Sequence, residues 1–116
     1  MAMRAGGEDL YATRHKGYYV TRSGKVYSAK TQSFIGGKID QNGYREYCLM
    51  IHGKRTYIRG HILVAETFLK KPTNKGSDLE VNHKNGNRAD NRVSNLEWTT
   101  PSENSQHRSD MNKKKK

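Results

Sequence analysis

Val81-Asn82-His83-Lys84-Asn85-Gly86-Asn87-Arg88-Ala89-Asp90-Asn91-Arg92-Val93-Ser94-Asn95-Leu96-Glu97-Trp98-Thr99-Thr100-Pro101-Ser102-Glu103-Asn104 reads as strand, turn, strand and helix start. Leu79 to His83 forms a short strand, Lys84 to Ser94 a long Asn/Gly-rich turn, and Asn95 to Thr99 a returning strand. Thr100-Pro101-Ser102-Glu103 is a capping box with Pro at the first helical position, which predicts a helix running to about Ser109. In that helix Asn104 and His107 lie three residues apart on one face, with Arg108 adjoining. The turn brings His83 back near the helix. A histidine and oxygen ligands around one cleft suit a single Mg²⁺ or Mn²⁺ held against a phosphodiester. Neutral imidazole is the fitting base, because its ordinary pKa lies near neutrality.

Upstream, Ile62, Ala65 and Leu69, with Phe68 beside them, share one helical face, and Lys70-Lys71-Pro72 ends the run. Thr73 to Asp78 is a polar loop. From Gly17 to Arg59 the chain reads as short strands joined by tight turns. Tyr18-Tyr19-Val20 and Lys25-Val26-Tyr27 flank Arg22-Ser23-Gly24, and Tyr44 to Ile51 and Arg55 to Ile58 flank His52-Gly53-Lys54. Lys and Arg on alternate positions put a basic face on this sheet. Residues 1–13 carry no clear pattern. The expected organisation is a flexible leader at 1–15, a basic β-rich module at 16–60, a hairpin-and-helix core at 61–109 and a basic tail at 110–116. The fold class is α+β.

A length of 116 residues points to one domain, and a hydrophobic fraction of 32% to a small core. The net charge of +11 calls for a polyanionic partner, most simply nucleic acid. Residues 1–60 hold 11 Lys/Arg against 4 Asp/Glu, a net of +7, whereas residues 61–112 hold 7 of each. The phosphate-binding surface is therefore expected in the first half, at Lys38, Arg45, Lys54, Arg55 and Arg59, assisted by His107 and Arg108. Cys48 is the only cysteine, which excludes an internal disulfide and a zinc site built on several thiolates, and fits a reducing, intracellular setting. No apolar run approaches the roughly 20 residues of a membrane span, and no amphipathic basic helix suggests a membrane surface.

Val81-Asn82-His83, Asp90-Asn91, Asn95-Leu96-Glu97-Trp98-Thr99-Thr100 and Glu103-Asn104 together resemble the HNH endonucleases of the homing-endonuclease type. These are small ββα-metal nucleases, often free-standing in phage genomes or inside introns. His61-Ile62-Leu63-Val64-Ala65-Glu66-Thr67-Phe68 resembles the helix before that motif, and Tyr18-Tyr19-Val20 with Ser23 to Ser28 resembles the module often joined to it. The resemblance spans roughly residues 16–107. It implies a metal-dependent DNA endonuclease of the nicking kind, since one such site cuts one strand, acting on duplex DNA as a monomer or weak dimer in the cytoplasm. It makes His83 the general base, Asn82 and Asn104 the metal ligands, and Asn95 the central Asn that pins the long turn. Asn stands at both ligand positions, so these two supply no carboxylate, and metal is expected to bind weakly until a DNA phosphate joins the shell. Adjacent strand residues point to opposite faces, so Asn82 and His83 share a cleft only if the strand leaves regular geometry there.

Blander readings apply elsewhere. Asn85, Gly86, Asn87 and Asn91 read as turn formers, His61 as a packing or capping residue, His15 and His52 as surface residues, and Trp98 as hairpin-to-helix core. Two other functions compete: a non-catalytic DNA-binding protein carrying a degenerate motif, and an RNA-binding or ribosome-associated basic protein.

Overall fold

A meander of five antiparallel strands begins the chain in the computed structural model, which describes residues 3–72 and 79–102. The strands are β1 (Met3–Ala5), β2 (Glu8–Ala12), β3 (Tyr18–Val20), β4 (Val26–Ser28) and β5 (Ser33–Ile35), hydrogen-bonded in sequence order. Residues 3–12, expected as leader, are therefore paired strands. The reason is local: Gly6 and Gly7 take φ of +57° and +79°, a two-residue turn that sets Ala5 against Glu8. Leu10, 6% exposed, then anchors β2 to the interior. The Arg4–Asp9 ion pair beside it is exposed and adds little.

A second antiparallel sheet follows, made of β6 (Lys38–Ile39), β7 (Arg45–Ile51) and β8 (Lys54–Arg59). His52 and Gly53, both at positive φ, form the turn, and Lys54 pairs with Ile51 inside the strands instead of belonging to the turn. β8 passes directly into α1 (Gly60–Phe68), with no side-chain cap at Arg59.

Leu63, Val64 and Ala65 on α1 are fully buried. They meet Val20 and Val26 from the first sheet, Tyr47 and Leu49 from the second, and Leu96 from the C-terminal hairpin in one cluster. One core thus joins the basic N-terminal strands to the motif half. The hairpin is β9 (Glu80–His83) against β10 (Leu96–Thr99), with Leu96 opposite His83, Glu97 opposite Asn82 and Trp98 opposite Val81. A 3₁₀ turn, Val93–Asn95, leads into β10. Trp98 closes the hairpin onto α1, donating its indole N–H to the Leu69 carbonyl at 3.1 Å. Pro101 and Ser102 are helical, as the capping box requires; the rest of the expected helix lies outside the described residues. The architecture is α+β: a strand-rich module, a helix, and a hairpin entering a second helix.

Candidate active site

The loop between β9 and β10 is held open by its own asparagines. Asn95 is buried, and its Oδ1 accepts the Asn85 backbone N–H at 3.0 Å. Its Nδ2 donates to Asn85 Oδ1 and to the Asp90 carbonyl, at 3.0 and 2.9 Å. Both ends of the amide are thus spent on the loop, and Asn95 fixes its shape without facing a substrate. Asn85 and Asn87 accept backbone N–H groups two residues on, as turn formers do. Arg92 grips Asp90 through two nitrogens, which holds that carboxyl down at about 2.

His83 ends β9 with 5% exposure, and its Nε2 lies 2.9 Å from Asn91 Oδ1. An amide oxygen only accepts, so Nε2 carries the hydrogen and Nδ1 is left with its lone pair. The ring packs 4.8 Å from His61, which in turn stacks on Tyr44 at 5.0 Å. Burial lowers the His83 pKa, opposed by the Asn91 hydrogen bond. Burial pushes His61 to about 3, with the neighbouring His83 adding to the shift. Both imidazoles are therefore neutral at physiological pH, the state a proton acceptor needs. His61 is no helix cap. Its buried Nδ1 has no hydrogen-bond partner, and its ring is one wall of the histidine pocket. Arg59 and Arg88 lie over Tyr44 at 4.4 and 5.0 Å, and Arg88 donates to the Asn42 carbonyl across the two halves of the chain.

Asn82, also buried, meets a different partner. Its Nδ2 donates to Glu97 Oε2 at 3.0 Å across the hairpin. β9 stays paired through His83, so Asn82 and His83 keep the alternation of a regular strand and their side chains have separate contacts. Glu97 supplies a carboxylate beside the candidate ligand that the ligand positions themselves lack. Sequence reasoning misses it because the Asn82–Glu97 contact depends on hairpin register. Oxygen donors of this kind suit a hard divalent cation. Among the described residues no group of three or more His, Cys, Asp and Glu forms a metal cluster. Asn104, His107 and Arg108, the remaining candidates, lie outside the described residues.

The five basic candidates divide between two sheet faces. Lys38, Arg55 and Arg59 share the outward face of β6–β8 with Met50 and Tyr57, the latter 63% exposed. Arg45 and Lys54 fall on the opposite parity, and Arg45 donates to the Gly36 carbonyl at 2.6 Å. No helix among the described residues is long and apolar enough to cross a membrane.

Residues 61–106 match the HNH endonuclease family. An uncharacterized HNH endonuclease of Acanthamoeba polyphaga mimivirus is 34% identical over 90 residues, covering 78% of this chain and 26% of the viral protein. The DNA endonuclease I-HmuI of Bacillus phage SP01 is 35% identical over 83 residues, covering 72% of this chain and 46% of its own. The solved structure of DNA binding and cleavage by the HNH homing endonuclease I-HmuI superposes with a TM-score of 0.74 at 28% identity. That match covers 97% of this chain and 59% of the I-HmuI chain. The chain therefore spans less than half the length of these two curated relatives. With the motif, the hairpin and the preceding strand module all matched, the chain belongs to the HNH family of the homing-endonuclease type.

Proposed function

We propose that this protein is a metal-dependent DNA endonuclease that nicks one strand, with His83 as its general base. One observation carries the reading: a buried, neutral imidazole whose Nε2–H is committed to Asn91, leaving Nδ1 to take a proton. In the proposed reaction His83 Nδ1 removes a proton from the attacking water. Asn82 and Asn104 would hold Mg²⁺ or Mn²⁺, Asn82 and its Glu97 partner joining His83 at the phosphate once DNA and metal turn the end of β9 out of the regular strand seen here. When bound, such a cation supplies charge stabilisation to the scissile phosphate and the leaving 3′ oxygen. Asn95 keeps the loop in shape. Residues 16–60 act as the DNA-binding module and residues 61–109 as the nuclease core. Lys38, Arg55 and Arg59 approach duplex phosphates from one face, while exposed Tyr57 and Met50 offer apolar contact beside them.

The test is nicking of supercoiled plasmid with Mg²⁺ or Mn²⁺ against EDTA. Metal-dependent conversion to open circles is expected, and His83→Ala should lower its rate by about 10²–10⁴-fold, the usual worth of a general base. DNA affinity should barely change. Near wild-type cutting by His83→Ala removes His83 from the role. Salt-sensitive DNA binding without any nicking would instead favour a non-catalytic DNA-binding protein.

A further inference from the structure

We infer that Asn91 is the positioning residue of the base, and that the N-terminal strand module builds its seat. The inference rests on the reading of His83 as general base. Asn91 is 4% exposed, far too buried for an ordinary turn asparagine, and its Oδ1 holds His83 Nε2. The central Asn of the motif, Asn95, is spent on Asn85 and Asp90, so the orientation of the imidazole falls to a different residue.

Two glycines make room for Asn91. A Cβ on Gly24, in the β3–β4 turn, would lie 2.6 Å from the carbonyl carbon and oxygen of Asn91. A Cβ on Gly60, at the start of α1, would lie 2.8 Å from Asn91 Nδ2. At Gly24 the obstacle is Asn91 backbone, which no flexible chain end can relieve; at Gly60 the buried Tyr47 ring, 2.7 Å away, stands in the way together with the Asn91 amide. Two residues further on, Val93 donates its N–H to the Arg22 carbonyl at 2.9 Å, fastening the loop to the same β3–β4 turn. The hairpin that carries His83 therefore has its orienting contact clamped from outside, by residues far earlier in the chain. Removing the acceptor frees the imidazole to rotate and to place its hydrogen on either nitrogen, so that Nδ1 is no longer reliably a lone pair facing water.

The experiment uses the full chain and two readouts. Without DNA or metal, ¹⁵N-resolved NMR detects the His83 Nε2–H as a proton protected from solvent exchange. With plasmid and Mg²⁺, nicking at saturating DNA gives kcat, and binding without metal gives affinity. Asn91→Ala should abolish the protected Nε2–H signal and lower kcat by about 10–100-fold, part of the 10²–10⁴-fold a placed base supplies, with DNA affinity unchanged within about twofold. Asn91→Leu, which keeps the side-chain volume, should do the same if the alanine variant does not fold. Asn91→Asp keeps an acceptor oxygen and should restore the Nε2–H signal. Wild-type kcat in the folded alanine or leucine variant overturns the inference, as does a reduced rate with the Nε2–H signal intact. A wild-type protein that never nicks overturns the nuclease reading instead, and the NMR comparison still decides the Asn91 contact.

Discussion

At Asn82 the side chain that offers an oxygen to a cation is tied through its nitrogen to Glu97. Replacing it by Asp puts two carboxylates side by side in a part-buried corner, where like charges raise one pKa and oppose joint ionisation. A carboxyl whose folded pKa is raised contributes stability at low pH that is lost as pH rises through it. Metal-free Asn82→Asp should therefore lose stability relative to wild type between about pH 5 and 8. Added Mg²⁺ should restore it, because a ligand that binds only the folded state stabilises that state. Thermal melts across pH, with and without Mg²⁺, measure both effects. Melting temperatures that respond to Mg²⁺ no more than wild type would remove Asn82 from the metal site. At this scale the loop-pinning of Asn95 was legible, because motif spacing names that residue, as it names His83 for the proposed base. Asn91 was not: in a string of Asn, Gly and Asp it looks like any turn residue, and its burial comes from Gly24 and Gly60, remote in sequence. An Asn between Asp90 and the Arg92 that grips it is the sole local hint.

The β6–β8 sheet sorts basic residues by parity, which charge counting cannot do. Charge reversal at Lys38, Arg55 and Arg59 together should weaken DNA binding for every sequence tested. It should also flatten the fall of log K with log salt, by about 0.9 for each phosphate no longer neutralised. The paired change at Arg45 and Lys54 should have a smaller effect, and an equal one would show that the outward face is not the docking surface. Fluorescence anisotropy over a salt series resolves the slopes. Most elements were readable from turn chemistry: Arg22-Ser23-Gly24 and His52-Gly53 each sit between runs rich in Tyr, Val and Ile. β1 and β2 were not. Met3–Ala5 and Glu8–Ala12 are short and largely polar, so no apolar alternation marks the Gly6-Gly7 turn that pairs them. The helix Gly60–Phe68 was readable as a helix, but its inward face was not: Ile62, expected beside Ala65 and Leu69, is 36% exposed, and Leu63, Val64 and Ala65 fill the core because both sheets and the hairpin close on that side.

Across the whole molecule, Leu63, Val64 and Ala65 depend for their burial on Val20, Val26, Tyr47 and Leu49. A fragment beginning at Gly60 keeps every motif residue but exposes that side of α1. Losing even one large buried aliphatic side chain from a packed core costs about 2–5 kcal/mol, and this truncation removes several at once. The fragment should give no cooperative thermal transition by circular dichroism, and a sharp transition near that of the full chain would refute the shared core. The charge imbalance of the sequence separated a binding half from a chemical half; packing merges them, because hydrophobic clustering ignores where the lysines lie. The same seam carries an optical label. Trp98, the only tryptophan, rests its indole N–H on the Leu69 carbonyl beneath the Lys71 ammonium, 5.2 Å from the ring. Its emission colour and yield are set by that polar, half-buried niche, whereas the tyrosines emit at shorter wavelength. Excited selectively, the native protein reports the docking of its own motif hairpin on the helix, with no dye attached.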